Sequence, residues 1–148
     1  MDDLDKIVAL PEADPPAHQV AALVWRPTAD GPDVLLVTSR ATRRWIIPKG
    51  WRVDGLSDVQ SAAQEAFEEA GAVTADSDGV LGTYRYDKVL KDGSERPCTV
   101  DVFCFRIVRL ADHWPEMKQR TRRWYATGTA SSLVAEPDLA VLLSGLER

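Results

Sequence analysis

Aliphatic and aromatic positions along the chain gather in short runs broken by glycine and proline. Residues 20–25 (VAALVW) and 34–39 (VLLVTS) are such runs, separated by RPTADGPD, and read as two strands joined by a turn. Residues 45–50 (WIIPKG) predict a third short strand ended by Pro48, because proline removes a ladder donor. Residues 82–86 (GTYRY) and 98–108 (CTVDVFCFRIV) carry strand composition with KDGSERP between them, which predicts a hairpin. RRWYA, at 122–126, is a further strand. The period changes at Val59, Ala62, Ala63, Ala66, Phe67 and Ala70, which recur at steps of three and four and line up one apolar stripe on a helix. Ser57 and Gln60 form a capping-box pattern at its start, Asp58 suits the positive helix end, and Gly71 can take the left-handed turn that stops it. PDLAVLLSGL, at 137–146, predicts a C-terminal helix with its proline in the first turn. The sum is an α+β domain in which strands outnumber helices.

Composition narrows this little but excludes much. A chain of 148 residues, 45% hydrophobic, suits one domain, expected over 18–148 behind a loose tail at 1–17 that mixes acids with Pro11, Pro15 and Pro16. A net charge of -5 argues against a DNA-binding protein with a global basic field. Two cysteines, Cys98 and Cys104, fit packed thiols in a reducing compartment rather than a disulfide framework. His18 and His113 lie far in sequence from either, which disfavours structural zinc. The first residues have no basic and apolar leader pattern and no apolar run reaches membrane-spanning length, so the expectation is a cytoplasmic protein without a membrane partner.

The stretch AAQEAFEEAG puts Glu65, Glu68 and Glu69 within five positions, converging on the helix face away from the alanines. An ordinary solvated face would interleave Lys or Arg at i+4, yet none occurs from residue 53 to residue 84. The small stripe of Ala62, Ala63, Ala66 and Ala70 lets the helix approach a sheet closely and fixes the carboxylates against neighbouring loops. A hard divalent cation turns their repulsion into coordination. Mg²⁺, with Mn²⁺ as the alternative, uses a few carboxylates together with waters and substrate phosphates.

Residues 50–72, GWRVDGLSDVQSAAQEAFEEAGA, resemble the Nudix box, with Gly50, Glu65, Glu68, Glu69 and Gly71 in register. Leu56 stands where the pattern has its first glutamate, Gln64 where it has arginine, and Ala72 where it has a larger aliphatic residue. The resemblance implies a Nudix-type α/β/α sandwich with a mixed sheet between helices. It also implies metal ligands at Glu65, Glu68, Glu69 and the Gly50 carbonyl, with Glu69 or Glu68 as catalytic base. The implied chemistry is hydrolysis of a diphosphate linked to another moiety. In the family the box arginine orients the glutamates; Gln64 can hydrogen-bond Glu68 one turn away but supplies no charge.

Between Thr38 and Arg52 the chain carries Arg40, Arg43, Arg44, Lys49 and Arg52 and no acid, and KQRTRR adds Lys118, Arg120, Arg122 and Arg123. Such clusters suit a polyphosphorylated small molecule as partner. VTSRATRRWIIPKG and RRWY resemble segments of Nudix hydrolases acting on diphosphoinositol polyphosphates and diadenosine polyphosphates. That match makes Ser39, Arg40, Arg44 and Lys49 candidate phosphate contacts and leaves inositol against nucleoside open. Among the five tryptophans, strand packing is the ordinary role, and Trp51, in the loop before the helix, is the one placed to stack on a base. Two readings follow: a Mg²⁺-dependent hydrolase, favoured by the three helix glutamates, or a ligand-binding or sensor module with little turnover, favoured by Leu56 and Gln64. Oligomeric state is not legible.

Overall fold

The structure, a computed structural model, describes residues 17–148. The expected tail at 1–17 lies outside the described residues except for Ala17, which already opens a strand. The elements run β1 (Ala17–Arg26), β2 (Asp33–Thr38), β3 (Trp45–Ile46), β4 (Lys49–Trp51), α1 (Asp58–Ala70), β5 (Ala72–Val89), β6 (Glu95–Leu110), β7 (Arg122–Ala126), α2 (Thr127–Leu133) and α3 (Pro137–Ser144). The strands form one sheet ordered β3-β2-β1-β6-β5, with β4 also on β1 and β7 also on β2. β1 runs parallel to β6, Val20 opposite Asp101, and the other pairings are antiparallel, so the sheet is mixed.

Alternation along β1 builds two cores. Val20, Ala22 and Val24 face α1 with Leu35, Val37 and Phe105, whereas Ala21, Leu23 and Trp25 face Leu139 and Leu143 of α3 with Tyr84 and Val102. The result is the expected sandwich of helices on both faces of a mixed sheet. No helix of the described residues is long and apolar enough to cross a membrane.

Two segments behave differently from what their composition suggests. β3, paired with β2, ends before Pro48 as expected, but a second strand, β4, paired with β1, resumes just past Pro48. Its carbonyl accepts from Ala22 N–H at 2.9 Å. Lacking an N–H of its own, Pro48 marks the point where the segment changes partner and delivers Lys49 and Gly50 to β1. The polar ADSDG, of turn composition, is a bulged part of β5 with register shifts from Val73 to Gly82. Ser77 Oγ donates there to the Cys104 carbonyl at 3.0 Å. α2 was not legible because TGTASSL has no apolar period.

Candidate active site

α1 begins and ends as its sequence dictates. Ser57 Oγ accepts from Gln60 N–H at 3.2 Å and Gln60 Oε1 accepts from Ser57 N–H at 2.9 Å. Gly71 takes φ 65°, and its N–H donates back to Phe67 O at 2.8 Å. Ala62, Ala66 and Ala70 are fully buried against the sheet. Each buried methyl contributes about 0.8 kcal/mol. Their smallness matters more, because it seats the helix backbone close enough for Glu69 to be only 5% exposed. The last carbonyls of α1 are satisfied from outside. Trp114 Nε1 donates to Glu69 O at 3.0 Å, and Arg122 Nη1 donates to Ala70 O at 2.9 Å, its cation suiting the negative helix end.

Glu65, Glu68 and Glu69 line one cleft of about 560 Å³ together with Ser39, Arg40, Lys49, Gly50 and Trp51. The three do not contribute equally. Glu65 and Glu69 act directly on each other's carboxyl, and Glu68 acts on Glu65 more weakly. Glu65 also presses on Gly50: a Cβ there would lie 2.5 Å from its carboxyl carbon. Burial is the largest influence on both carboxyls, with Glu65 pushed up to about 8 by burial and its glutamate neighbours. Glu69 is pushed up to about 7 by burial, against the pull of Arg120 and Lys49. Two buried carboxyls this close repel when both are charged, and a hard divalent ion relieves that repulsion, since Mg²⁺ needs only one or two carboxylates beside waters and phosphates.

These raised carboxyls carry a pH signature. Each binds its proton more firmly folded than unfolded, so its contribution to metal-free stability is complete below the ordinary 4.5 and is lost as pH rises through about 7 and about 8. Thermal unfolding in chelator from about pH 5 to about pH 9 should show a falling Tm, and saturating Mg²⁺ should abolish that fall.

The basic residues divide. Lys49 is half-buried, its backbone N–H reaches Glu69 Oε1 at 3.3 Å, and its ammonium lies 4.7 Å from the centre of the Tyr86 ring. Burial lowers its pKa, against the pull of Glu69 and Glu136. Arg40 lines the rim, bonded to Gln119 Oε1 at 3.3 Å. Ser39 is at the rim too, but its hydroxyl is engaged in shaping the loop, meeting Thr42 Oγ1 at 2.7 Å and accepting from Arg44 N–H at 3.0 Å. Arg44, expected to contact phosphate, is not among the cleft residues; its guanidinium turns to Glu136 at 3.6 Å. The second cluster does not hold together as a phosphate patch. Arg122 stacks 3.8 Å over Trp114 at the end of α1, and Arg123 lies 5.9 Å from Tyr125. Among the described residues, Gln64 makes no hydrogen bond to Glu68.

Sequence reasoning missed Glu116 and read Arg120 only as part of a phosphate-binding cluster; both line the cleft from the loop before β7. Arg120 Nη2 lies 3.3 Å from Glu69 Oε2, and its Nε donates to Glu116 Oε1 at 2.7 Å. The i, i+4 spacing of the two was a visible signal, hidden inside a run that read as phosphate-binding cations. Elsewhere, among the described residues, His18, Asp58 and Asp101 bring ligand atoms within 4.8 Å of one another. His18 Nε2 lies 3.1 Å from Asp101, Asp58 is bound by Arg52 at 2.9 Å, and none of the three lines the cleft.

No family model matches the chain. It is 29% identical over 104 residues to Nudix hydrolase 12, mitochondrial, of Arabidopsis thaliana, covering 68% of this chain and 51% of that protein. To Nudix hydrolase 4 of the same organism it is 30% identical over 102 residues, 66% of this chain and 45% of that protein. The chain thus spans about half the length of the curated relatives it matches. Among solved structures it is similar to a C. elegans Ap4A hydrolase, with TM-score 0.62 and 18% identity over 88% of this chain and 95% of that one. The sequence relatives support the Nudix family for this chain, and the solved structure shares its sandwich fold.

Proposed function

We propose that the protein is a Mg²⁺-dependent hydrolase of a phosphoanhydride bond in a polyphosphorylated small molecule. The observation that carries this is the Glu65–Glu69 carboxyl pair on the cleft wall, set against Gly50 and overlooked by Arg40, Lys49 and Arg120. When bound, the ion supplies charge neutralisation at the phosphates and a more acidic attacking water. Glu65 and Glu69 would hold it, with Glu68 at the edge. Lys49 and Arg40 bind phosphate oxygens and orient the chain of phosphates for in-line attack. Glu69, whose pKa lies near neutrality, takes the proton as water oxygen bonds to phosphorus and the bridging P–O bond breaks toward the leaving phosphate.

Of the two substrate classes, the geometry favours a dinucleoside polyphosphate over a diphosphoinositol polyphosphate. Trp51 is 47% exposed on the cleft lip, with the Lys88 ammonium 6.0 Å from the centre of its ring. An exposed indole beside phosphate-binding cations offers a stacking surface to a nucleobase, and an inositol ring has no flat face to match. The likeness to an Ap4A hydrolase supports the same side. Trp51→Ala should raise KM for a dinucleoside polyphosphate about 10-fold, within the ~1–3 kcal/mol of one stacked base, and leave KM for a diphosphoinositol substrate unchanged.

The second reading, a binding module with little turnover, draws on Leu56, half-exposed where a carboxylate would add charge, and on the unengaged Gln64. A screen of dinucleoside polyphosphates, nucleotide sugars, nucleoside triphosphates and diphosphoinositol phosphates with Mg²⁺ and Mn²⁺ separates the two. Released phosphate or nucleotide appearing only with metal supports the hydrolase; thermal stabilisation without product supports the module.

A further inference from the structure

We infer that Arg120 is the positioning residue of the carboxylate pair, holding Glu69 from a loop where the helix itself provides no cation. This rests on the metal-binding reading of Glu65 and Glu69 above. The Arg120 side chain is only 6% exposed, and all three of its nitrogens have partners on different elements. Nη2 meets Glu69 Oε2 on α1, Nε donates to Glu116 in the loop, and Nη1 donates to the Thr38 carbonyl at the end of β2 at 3.0 Å.

The planarity of the guanidinium makes this arrangement directional. With Nε and Nη1 fixed by Glu116 and Thr38, the third nitrogen can point in only one direction, and Glu69 Oε2 occupies it. Glu69 Oε1 is taken by the Lys49 amide. Both oxygens are therefore held, and the carboxylate cannot rotate away from Glu65. The anchor is itself rigid: Thr121, next in the chain, exchanges two hydrogen bonds with Thr38, its N–H donating to Thr38 Oγ1 at 2.9 Å and its carbonyl accepting from Thr38 N–H at 3.0 Å. Within α1 the nearest alternative is Gln64, which is uncharged and makes no such contact. Lysine at 120 would keep the charge but could not serve three acceptors in one plane.

The test uses the full chain, with Mn²⁺ as probe in titration calorimetry, steady-state kinetics on the substrate found by the screen, and thermal unfolding to verify the fold. Arg120→Gln should weaken Mn²⁺ binding by about 10–100-fold, the usual range for a group that orients a metal ligand, and lower kcat with little change in KM. Arg120→Lys, the variant to read where the glutamine form does not fold, should remain about 10-fold weaker than the parent, since charge alone does not restore the fork. Unchanged or tighter Mn²⁺ binding in folded Arg120→Gln would overturn the inference, because Arg120 would then be a counter-charge occupying the ion's place. Parent-like binding by Arg120→Lys would overturn it as well. Failure of the parent protein to take up Mn²⁺ is a different result: it removes the metal reading of the cleft, and the inference falls with it.

Discussion

Replacing Glu69 by glutamine should lower kcat by about 10³-fold or more while leaving the protein folded. The side chain is nearly the same size, so the packing around its 5% exposed position survives. What changes is charge and hydrogen-bond capacity. Glu69 accepts from both the Lys49 amide and Arg120; glutamine has one acceptor oxygen, and its NH₂ must face one of those donors. A base taking the proton of the attacking water is worth about 10²–10⁴-fold, and loss of an anionic metal ligand adds to it. Stability moves little because two effects oppose. The mismatched donor costs about 1–3 kcal/mol, and removal of a carboxyl that burial already disfavours in its charged form offsets part of that. Steady-state kinetics with Mg²⁺ read the first quantity and thermal unfolding the second. A variant within tenfold of the parent would move the proton transfer to Glu68 or Glu116.

The second large effect is expected at a residue with no functional group. Gly50→Ala should reduce kcat/KM by about 10²-fold with almost no change in Tm. A methyl at Gly50 would lie 2.5 Å from the Glu65 carboxyl carbon and 2.6 Å from Oε1, far inside contact distance. The atoms it meets are the end of a flexible side chain, so the fold yields cheaply by turning Glu65 aside. The backbone at Gly50 is not in the left-handed region, so alanine brings no conformational strain. The site yields dearly, because a ligand displaced by about 1 Å can cost ~10²-fold in rate. Activity lost at unchanged Tm would separate this glycine from one that serves the fold. Equal loss of both would mean that the methyl disturbs β4 rather than Glu65.

Much of this was legible in the sequence where local rules dominate. The helix from Asp58 to Ala70 follows from its alanine period, its Ser57–Gln60 box and Gly71, all of which act within one or two turns. The strand runs at β1, β2 and β7 follow from apolar composition in the same way. The glutamates could be grouped from sequence because four residues of helix bring Glu65 to Glu69, but their unequal roles could not, since Gly50 and the 111–121 loop decide them. Arg40, Arg44, Arg120 and Arg122 all read as phosphate-facing cations, and tertiary contacts gave each a different destination. Arg40 stays on the rim, Arg44 turns to Glu136, Arg120 holds Glu69 and Arg122 closes the end of α1. Charge type is local information; the partner a long cation reaches is not.

The segment between β6 and β7 is stitched along α1. Ala111 N–H donates to Gly71 O at 2.8 Å, Glu116 N–H to Glu68 O at 3.0 Å, and Trp114 to Glu69 O. In an engineering exchange of this segment between relatives, recognition and chemistry would not be separable modules. A transplanted segment would bring its own register onto the helix end, and the acidic wall would inherit the donor's geometry along with its specificity.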